Sequence, residues 1–240
     1  MCTVTFIPLI KEGYVITSNR DEKTSREQAV FPTVKHFKGY DLLLPRDPQG
    51  GGTWIAMDNL KRTVCLLNGA YQPHQFTPPY RHSRGLVVID FFKFKAVSEF
   101  VETYDFRQIE PFTLVIVQDE RLFEFRWDGE NKYFIEHSFE IPKIWSSVTL
   151  YNADIIKKRE IWFNHWLKEN ANYNQEMIID FHTFAGEGDT RNDVLMERED
   201  HLKTVSISSV LNVSDRAVMT YFDRINDRTE QSSLNVKFSI

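Results

Sequence analysis

The sequence predicts an α+β protein whose sheets are largely antiparallel, with helices layered outside them. Three observations carry this. Strand-like runs come in neighbouring pairs joined by short turns. Helical spacing is concentrated after Arg84 and again between Asn152 and Phe184. The element order is strands, helix, strands, two helices, two strands, with no long alternation of strand and helix that would call for a parallel sheet.

Thr3 to Ile10 and Tyr14 to Ser18 read as two strands, joined around Lys11-Glu12-Gly13 with glycine in the turn. Leu42-Leu43-Leu44 is a short strand, followed by a loop from Pro45 to Gly52. Thr53 to Met57 and Thr63 to Leu67 make a second hairpin about Asp58-Asn59, closed by Asn68-Gly69. From Arg84 to Tyr104, Leu86 to Ile89 favour strand by propensity, but Val97, Phe100, Val101 and Tyr104 fall at helical spacing, so most of the segment is taken as helix. Phe112 to Val117, Leu122 to Trp127 and Lys132 to Glu136 form a meander. In it Phe123, Phe125 and Trp127 alternate with Glu124 and Arg126, and Asp128-Gly129 supplies a hairpin turn. Asn152 to Asn170 is the best helix: Ile155/Ile156, Trp162/Phe163 and Trp166/Leu167 make one stripe, with Lys157-Lys158-Arg159 expected to face outward. Met177 to Phe184 is a shorter helix stopped near Gly186, and a polar loop runs on to Asp200. Val205 to Asn212 and Ala217 to Phe222 form a last hairpin. The tail from Arg224 is polar and expected to fray, with Val236 to Ile240 as an optional edge strand.

At 240 residues and 42% hydrophobic, the chain can bury a sizeable core; without repeats, low-complexity tracts or a linker, one domain over residues 1–240 is the expectation, with 225–240 partly ordered. A net charge of −5 without a strongly basic stretch argues against nucleic acid as partner. Two cysteines make no disulfide framework. The apolar start lacks a basic n-region and a cleavage site, and no apolar run reaches the roughly 20 residues of a membrane span. The expected location is therefore cytoplasmic, with no membrane span. The histidines show no metal spacing. His74 and His82 flank a proline-rich loop, and His165 and His182 sit on helices as surface or packing residues. No metal and no cofactor are expected. Oligomeric state is not legible.

Chemistry concentrates at the N-terminus. Removal of Met1 would put a thiol and a free α-amine on Cys2. Such groups titrate near ~8.5 and ~8, so the amine can accept the thiol proton, directly or through water. A site of this kind needs an oxyanion donor and polar groups that hold the amine. The second strand ends in Ser18-Asn19-Arg20-Asp21-Glu22, which a hairpin places opposite the first residues. Asp21 is a candidate for binding the α-ammonium, Arg20 for stabilising a thiolate or a substrate anion, and Asn68 for an oxyanion donor. Blander readings exist for each. A cysteine at position 2 is commonly just a small residue near a strand start, Asn-Arg-Asp-Glu a surface ion-pair cluster that pins the hairpin, and Asn68-Gly69 a turn. Gly50-Gly51-Gly52 has no following Lys-Ser/Thr and is no phosphate loop, and Cys65 reads as a buried core thiol.

The chain resembles the NRDE family, also called the transport and Golgi organization protein 2 family. The matching residues are Met1-Cys2-Thr3, Asn19-Arg20-Asp21-Glu22, Gly51-Gly52-Thr53-Trp54, Leu66-Leu67-Asn68-Gly69, and Ser83-Arg84-Gly85 with Asp90-Phe91. Weaker similarity runs through the meander, Ser146 to Tyr151 and the final hairpin. The resemblance implies an N-terminal-nucleophile-hydrolase-like fold, a four-layer α/β/β/α sandwich of two mainly antiparallel sheets. By similarity to the bile salt hydrolase and penicillin acylase group, Cys2 would be the nucleophile, Asp21 would hold its amine and Asn68 would line the oxyanion hole. Asn19, Glu22, Trp54 and Ser146 are the expected binding residues. The hydrolase group would carry an asparagine near Ser146 as a second oxyanion donor, and many relatives an arginine near Val205; this chain departs at both. Two readings stay open: a cysteine hydrolase or acyltransferase acting on a linear amide or thioester bond, or a non-catalytic carrier whose family-derived ligands would be haem or an acyl-CoA-like molecule. In either case the expected partner is a small molecule.

Overall fold

The structure, a computed structural model, describes residues 3–9, 13–37, 39–170 and 172–236. These form two sheets. One has six strands: β1 (Thr3–Pro8), β2 (Tyr14–Lys23), β10 (Lys143–Ser146), β11 (Leu202–Val213), β12 (Arg216–Asp223) and β13 (Arg228–Asn235), in the order β10-β1-β2-β11-β12-β13. The other has seven in sequence order: β3 (Val30–Phe37), β4 (Tyr40–Arg46), β5 (Ile55–Asp58), β6 (Thr63–Asn68), β7 (Phe112–Gln118), β8 (Arg121–Trp127) and β9 (Lys132–His137). Every neighbouring pair is antiparallel.

The layering follows from alternation along the strands, since successive side chains point to opposite faces. In β6, Cys65 and Leu67 face the six-stranded sheet while Val64 and Leu66 face α1 (Arg84–Phe91) and α2 (Val97–Thr103). In β2, Tyr14 and Ile16 enter the layer between the sheets. Val15 turns to the layer shared with α3 (Ala153–Glu169) and α4 (Gln175–Phe184). Three apolar layers thus hold four layers of structure, helices on the outside of each sheet, as the resemblance implied. A strand buried on both faces reads as a continuous apolar run, which is why β7 (FTLVIVQ) shows no alternation in its sequence.

Several local expectations are corrected. Strand β2 does not end at Ser18; it continues through the polar cluster to Lys23, because β1 and β11 flank it on both sides and supply ladder partners. Strands β3 and β10 were not expected. The tail from Arg224 carries β13, an edge strand paired with β12 over its full length. Arg159 does not face outward: it is 0% exposed and bonded inside the helical layer. Ile10, Lys11, Glu12 and residues 237–240 lie outside the described residues, and so does Cys2. Among the described residues no helix is long and apolar enough to cross a membrane.

Candidate active site

Strand β2 carries the site because its two faces look into different layers. Ser18 pairs with Val4, and Asn19 with Thr3, the first described residue. Arg20 falls on the face turned to the seven-stranded sheet. Its guanidinium lies 4.6 Å over the Trp54 ring and 3.6 Å from Asp47 Oδ1. Burial pushes the Arg20 pKa below its ordinary value, against the opposing pull of Asp47 and Glu22. Arg26 clamps the same carboxylate, with Nη2 2.6 Å from Asp47 Oδ2, and reaches Glu22 at 3.5 Å. Trp54 is fixed in turn by its Nε1, which donates to Ser208 Oγ at 3.2 Å.

These groups line a polar cavity of about 110 Å³, whose walls include Arg20, Glu22, Trp54, Asn68 and the Ser83–Gly85 entry to α1. Two glycines let its floor close. A Cβ on Gly52 would stand 2.2 Å from the Gly85 carbonyl carbon, so only glycine allows the 51–53 loop to seat on the first turn of α1, where Thr53 N donates to Gly85 O at 3.1 Å. Asn68 ends β6 half-buried; its backbone oxygen accepts from Ser147 Oγ at 2.8 Å.

The opposite face of β2 presents Asn19 and Asp21 to the helical layer. The Asn19 amide donates to His182 O (3.1 Å) and Val194 O (2.7 Å), and its Oδ1 accepts from His182 Nδ1 at 2.7 Å. That leaves His182 Nε2 to accept from Thr5 Oγ1 at 2.8 Å. The ring is neutral: burial first, and the Arg159 charge second, push its pKa down to about 3. Asp21 is 3% exposed and accepts from Thr204 Oγ1 (2.6 Å) and Tyr151 OH (2.9 Å). Tyr151 is itself braced by the Arg159 guanidinium, 3.6 Å from its ring centroid.

Of the residues picked from sequence, Arg20, Glu22, Trp54 and Asn68 therefore meet at one cavity. Asp21 and Asn19 stand behind them on the other face of the same strand. Ser146 pairs with Thr3 across β1 and β10 and is not among the residues lining that cavity. Cys2 lies outside the described residues. Sequence reasoning assigned no role to Asp47, Ser83 and Arg84, which complete the cavity, or to Tyr151, Thr204 and Arg159, which hold Asp21. Ser83-Arg84-Gly85 and Tyr151 stood in the quoted similar segments, so a signal existed; Asp47, in a loop without pattern, offered none. Cys65 is 0% exposed, and burial pushes its thiol up to about 12. Among the described residues no group of His, Cys, Asp and Glu is arranged to hold a metal.

The fold has solved counterparts. A conjugated bile acid hydrolase from Clostridium perfringens, in a mutant with its second-position cysteine changed to alanine, matches with a TM-score of 0.56 and 11% identity, over 100% of this chain and 99% of its own. An arginine-to-leucine variant of the same hydrolase gives 0.61 and 11% identity, over 99% of this chain and 97% of its own. The Caenorhabditis elegans ortholog of N-acylethanolamine-hydrolyzing acid amidase gives 0.61 and 12% identity, over 98% of this chain and 100% of its own. At such identities the likeness is one of fold, the N-terminal-nucleophile-hydrolase sandwich. No curated protein matches the chain in sequence. The sequence profile of the transport and Golgi organisation 2 family matches residues 1–221, and the chain belongs to that family.

Proposed function

We propose that the chain is an N-terminal cysteine hydrolase or acyltransferase acting on a linear amide or thioester bond of a small molecule. After loss of Met1, the Cys2 amine takes the thiol proton and the thiolate attacks the carbonyl carbon. Asn68 donates to the oxyanion. The C–N or C–S bond then breaks, with the proton passing from the ammonium to the leaving group. Water hydrolyses the acyl-thioester, or a second nucleophile accepts the acyl group. Asp21 holds the ammonium: its partners among the described residues are two neutral hydroxyls, and a carboxylate has room for further donors. Arg20 and Glu22 shape the cavity's charge, and Trp54 its wall.

The observation that supports this reading most is the convergence of Arg20, Trp54 and Asn68 on one polar cavity beside the strand that carries Thr3. The fold neighbours support it as analogy, one being a hydrolase whose second residue is a cysteine. The carrier reading draws on Ser146, a short donor that does not line the cavity, and on Arg20, whose charge is already met by Asp47.

A side-by-side assay separates the two. Processed protein, a Met1-retaining form and Cys2→Ser are tested on a panel of acyl amides and thioesters and in a haem titration. The enzyme reading expects turnover only in the processed form and a strong loss in Cys2→Ser. Turnover unchanged in the Met1-retaining form rules out the amine as base. Absence of turnover in every form, with binding intact in all three, favours the carrier.

A further inference from the structure

Arg159 is a buried charge without a counter-ion among the described residues. The middle of α3 carries it into the helical layer, where it is 0% exposed. The other buried arginines each face a carboxylate, Arg20 at 3.6 Å from Asp47 and Arg62 at 2.7 Å from Asp58. The hydrogen bonds of Arg159 go to neutral acceptors instead: the Asn192 and Asp193 carbonyls and Thr3 Oγ1. The Asp193 carboxylate is turned to the backbone N–H groups of Glu187 (3.0 Å) and Gly188 (3.1 Å). An unpaired charge in such a place is costly, and perturbing charges of this kind gather at functional sites.

Its surroundings point to what it acts on. Nη1 donates to Thr3 Oγ1, and Thr3 follows Cys2 in the chain. The guanidinium lies 3.6 Å from the centre of the Tyr151 ring, and the Tyr151 hydroxyl donates to Asp21 Oδ2 at 2.9 Å. Two routes therefore lead from one buried cation to the start of β1. Its field is felt on that strand's neighbours: Arg159 is the second cause, after burial, that keeps the His182 imidazole neutral, and that ring bonds Thr5.

Resting on the reading of Cys2 as a nucleophile freed of Met1, we infer that Arg159 is a positioning residue for it, whose charge favours the deprotonated state of the Cys2 thiol and amine at neutral pH. With both groups protonated, the processed residue carries one net positive charge; after loss of the first proton it carries none. A fixed cation nearby disfavours the first state and favours the second. The other groups that bear on the pair are Arg20, whose charge Asp47 meets, Asp21 and Glu22 on β2, neutral His182 on α4, and Arg198, 5.4 Å from the Tyr151 ring centre. Asp21 opposes Arg159, and the hydrogen bond from Tyr151 tempers that carboxylate, so Tyr151 works in the same direction as the cation it stacks on.

Iodoacetamide labelling of the processed full chain across about pH 6 to 10, with the Cys2 and Cys65 peptides quantified by mass, tests it. Cys65 is 0% exposed, so its labelling reports unfolding while Cys2 is read from the folded protein. Arg159→Met is expected to raise the pH midpoint of Cys2 labelling by about one unit and to slow labelling at pH 7 about ten-fold. Arg159→Lys, which keeps the charge, is expected to restore most of that shift; a purely structural role would not be rescued in this way. Tyr151→Phe keeps the ring on the guanidinium and removes the bond to Asp21, and should raise the midpoint by about half a unit with Cys65 still protected. It carries the test if Arg159→Met exposes Cys65. Labelling needs no substrate, so the shift is read whether or not the chain turns anything over. Turnover with unshifted midpoints overturns the role of Arg159 alone, and shifted midpoints without turnover leave that role standing and count against the enzyme. The proposal is overturned by a folded Arg159→Met with the wild-type midpoint, by Arg159→Lys shifting as far as Arg159→Met, or by Tyr151→Phe without effect.

Discussion

Replacing Arg159 by methionine probes the support behind the site. Arg159 projects from the middle of α3 into the helical layer and is 0% exposed. Nε and Nη2 donate to Asn192 O at 3.1 and 3.0 Å, Nη2 also to Asp193 O, and Nη1 to Thr3 Oγ1. The guanidinium therefore ties α3 to the first described residue of β1 and to the loop after α4, and it stacks on the tyrosine that holds Asp21. Methionine fills much of the volume but leaves these acceptors without their donor. Each buried acceptor stranded in this way costs about 1–3 kcal/mol, and removal of the buried charge's own desolvation offsets part of the sum. The expected net loss is about 3–5 kcal/mol, or roughly 10 °C in melting temperature for a chain of this size. Urea unfolding of wild type, Arg159→Met and Arg159→Lys measures it, with lysine intermediate because it keeps the charge but not the planar fork. The same variant should raise the folded-state pKa of His182, since the Arg159 charge is one of the two causes holding it down. A loss below about 1 kcal/mol, or a methionine variant more stable than wild type, would show that good packing replaces the charge and that the bonds are not what holds this layer.

Stability should also fall in acid through His182. Its folded pKa is depressed to about 3 from 6.5, so between those values the unfolded chain binds a proton that the folded chain refuses. Stability is then lost progressively as pH falls through that window, by up to ~1.4 kcal/mol per pH unit from this group, and His182→Gln should flatten that part of the profile; an unchanged profile contradicts the assignment. Thiol labelling of the folded protein below pH 8 should modify Cys2 and spare Cys65, whose thiol is buried and shifted up to about 12; preference for Cys65 would contradict both assignments. Asp21→Asn should slow Cys2 labelling and change its pH dependence at a stability cost of about 1–2 kcal/mol, because the Tyr151 and Thr204 hydroxyls can turn to accept as well as donate. A loss of about 3–5 kcal/mol would instead mean that Asp21 pairs with a structural charge.

Much of the architecture is legible wherever alternation or helical spacing is strong. The meander of β7 to β9, the hairpin of β1 and β2, and helices α3 and α4 with their asparagine N-caps all lie close to where the pattern puts them. What pattern misses is what tertiary context decides. Strand β3 carries Pro32 and is buried only in part, and β10 spans four residues, too short for a period to show. In β13 the polar run RTEQSSLN reads as tail, yet one flank pairs with β12 and nearly every side chain other than Leu234 meets solvent. Arg159 sits in a run of three basic residues, and nothing in a linear charge pattern says which one turns inward to meet carbonyls more than 30 positions away. The candidate site was legible in its members but not in its division. Alternation along β2 sends Arg20 and Glu22 to the cavity and Asn19 and Asp21 to the helices, a split that became visible only once the strand was known to continue past Ser18.

The central claim is that Cys2, freed of Met1, takes up an acyl group. Intact mass and peptide mapping after brief exposure to an activated acyl thioester test it directly. The account predicts one acyl adduct on the Cys2 peptide of the processed protein, decaying with time. The adduct should be absent from Cys2→Ala and strongly reduced when Met1 is retained. An adduct carried equally by the Met1-retaining form, located on another residue, or missing from processed protein that still turns over the thioester would contradict it.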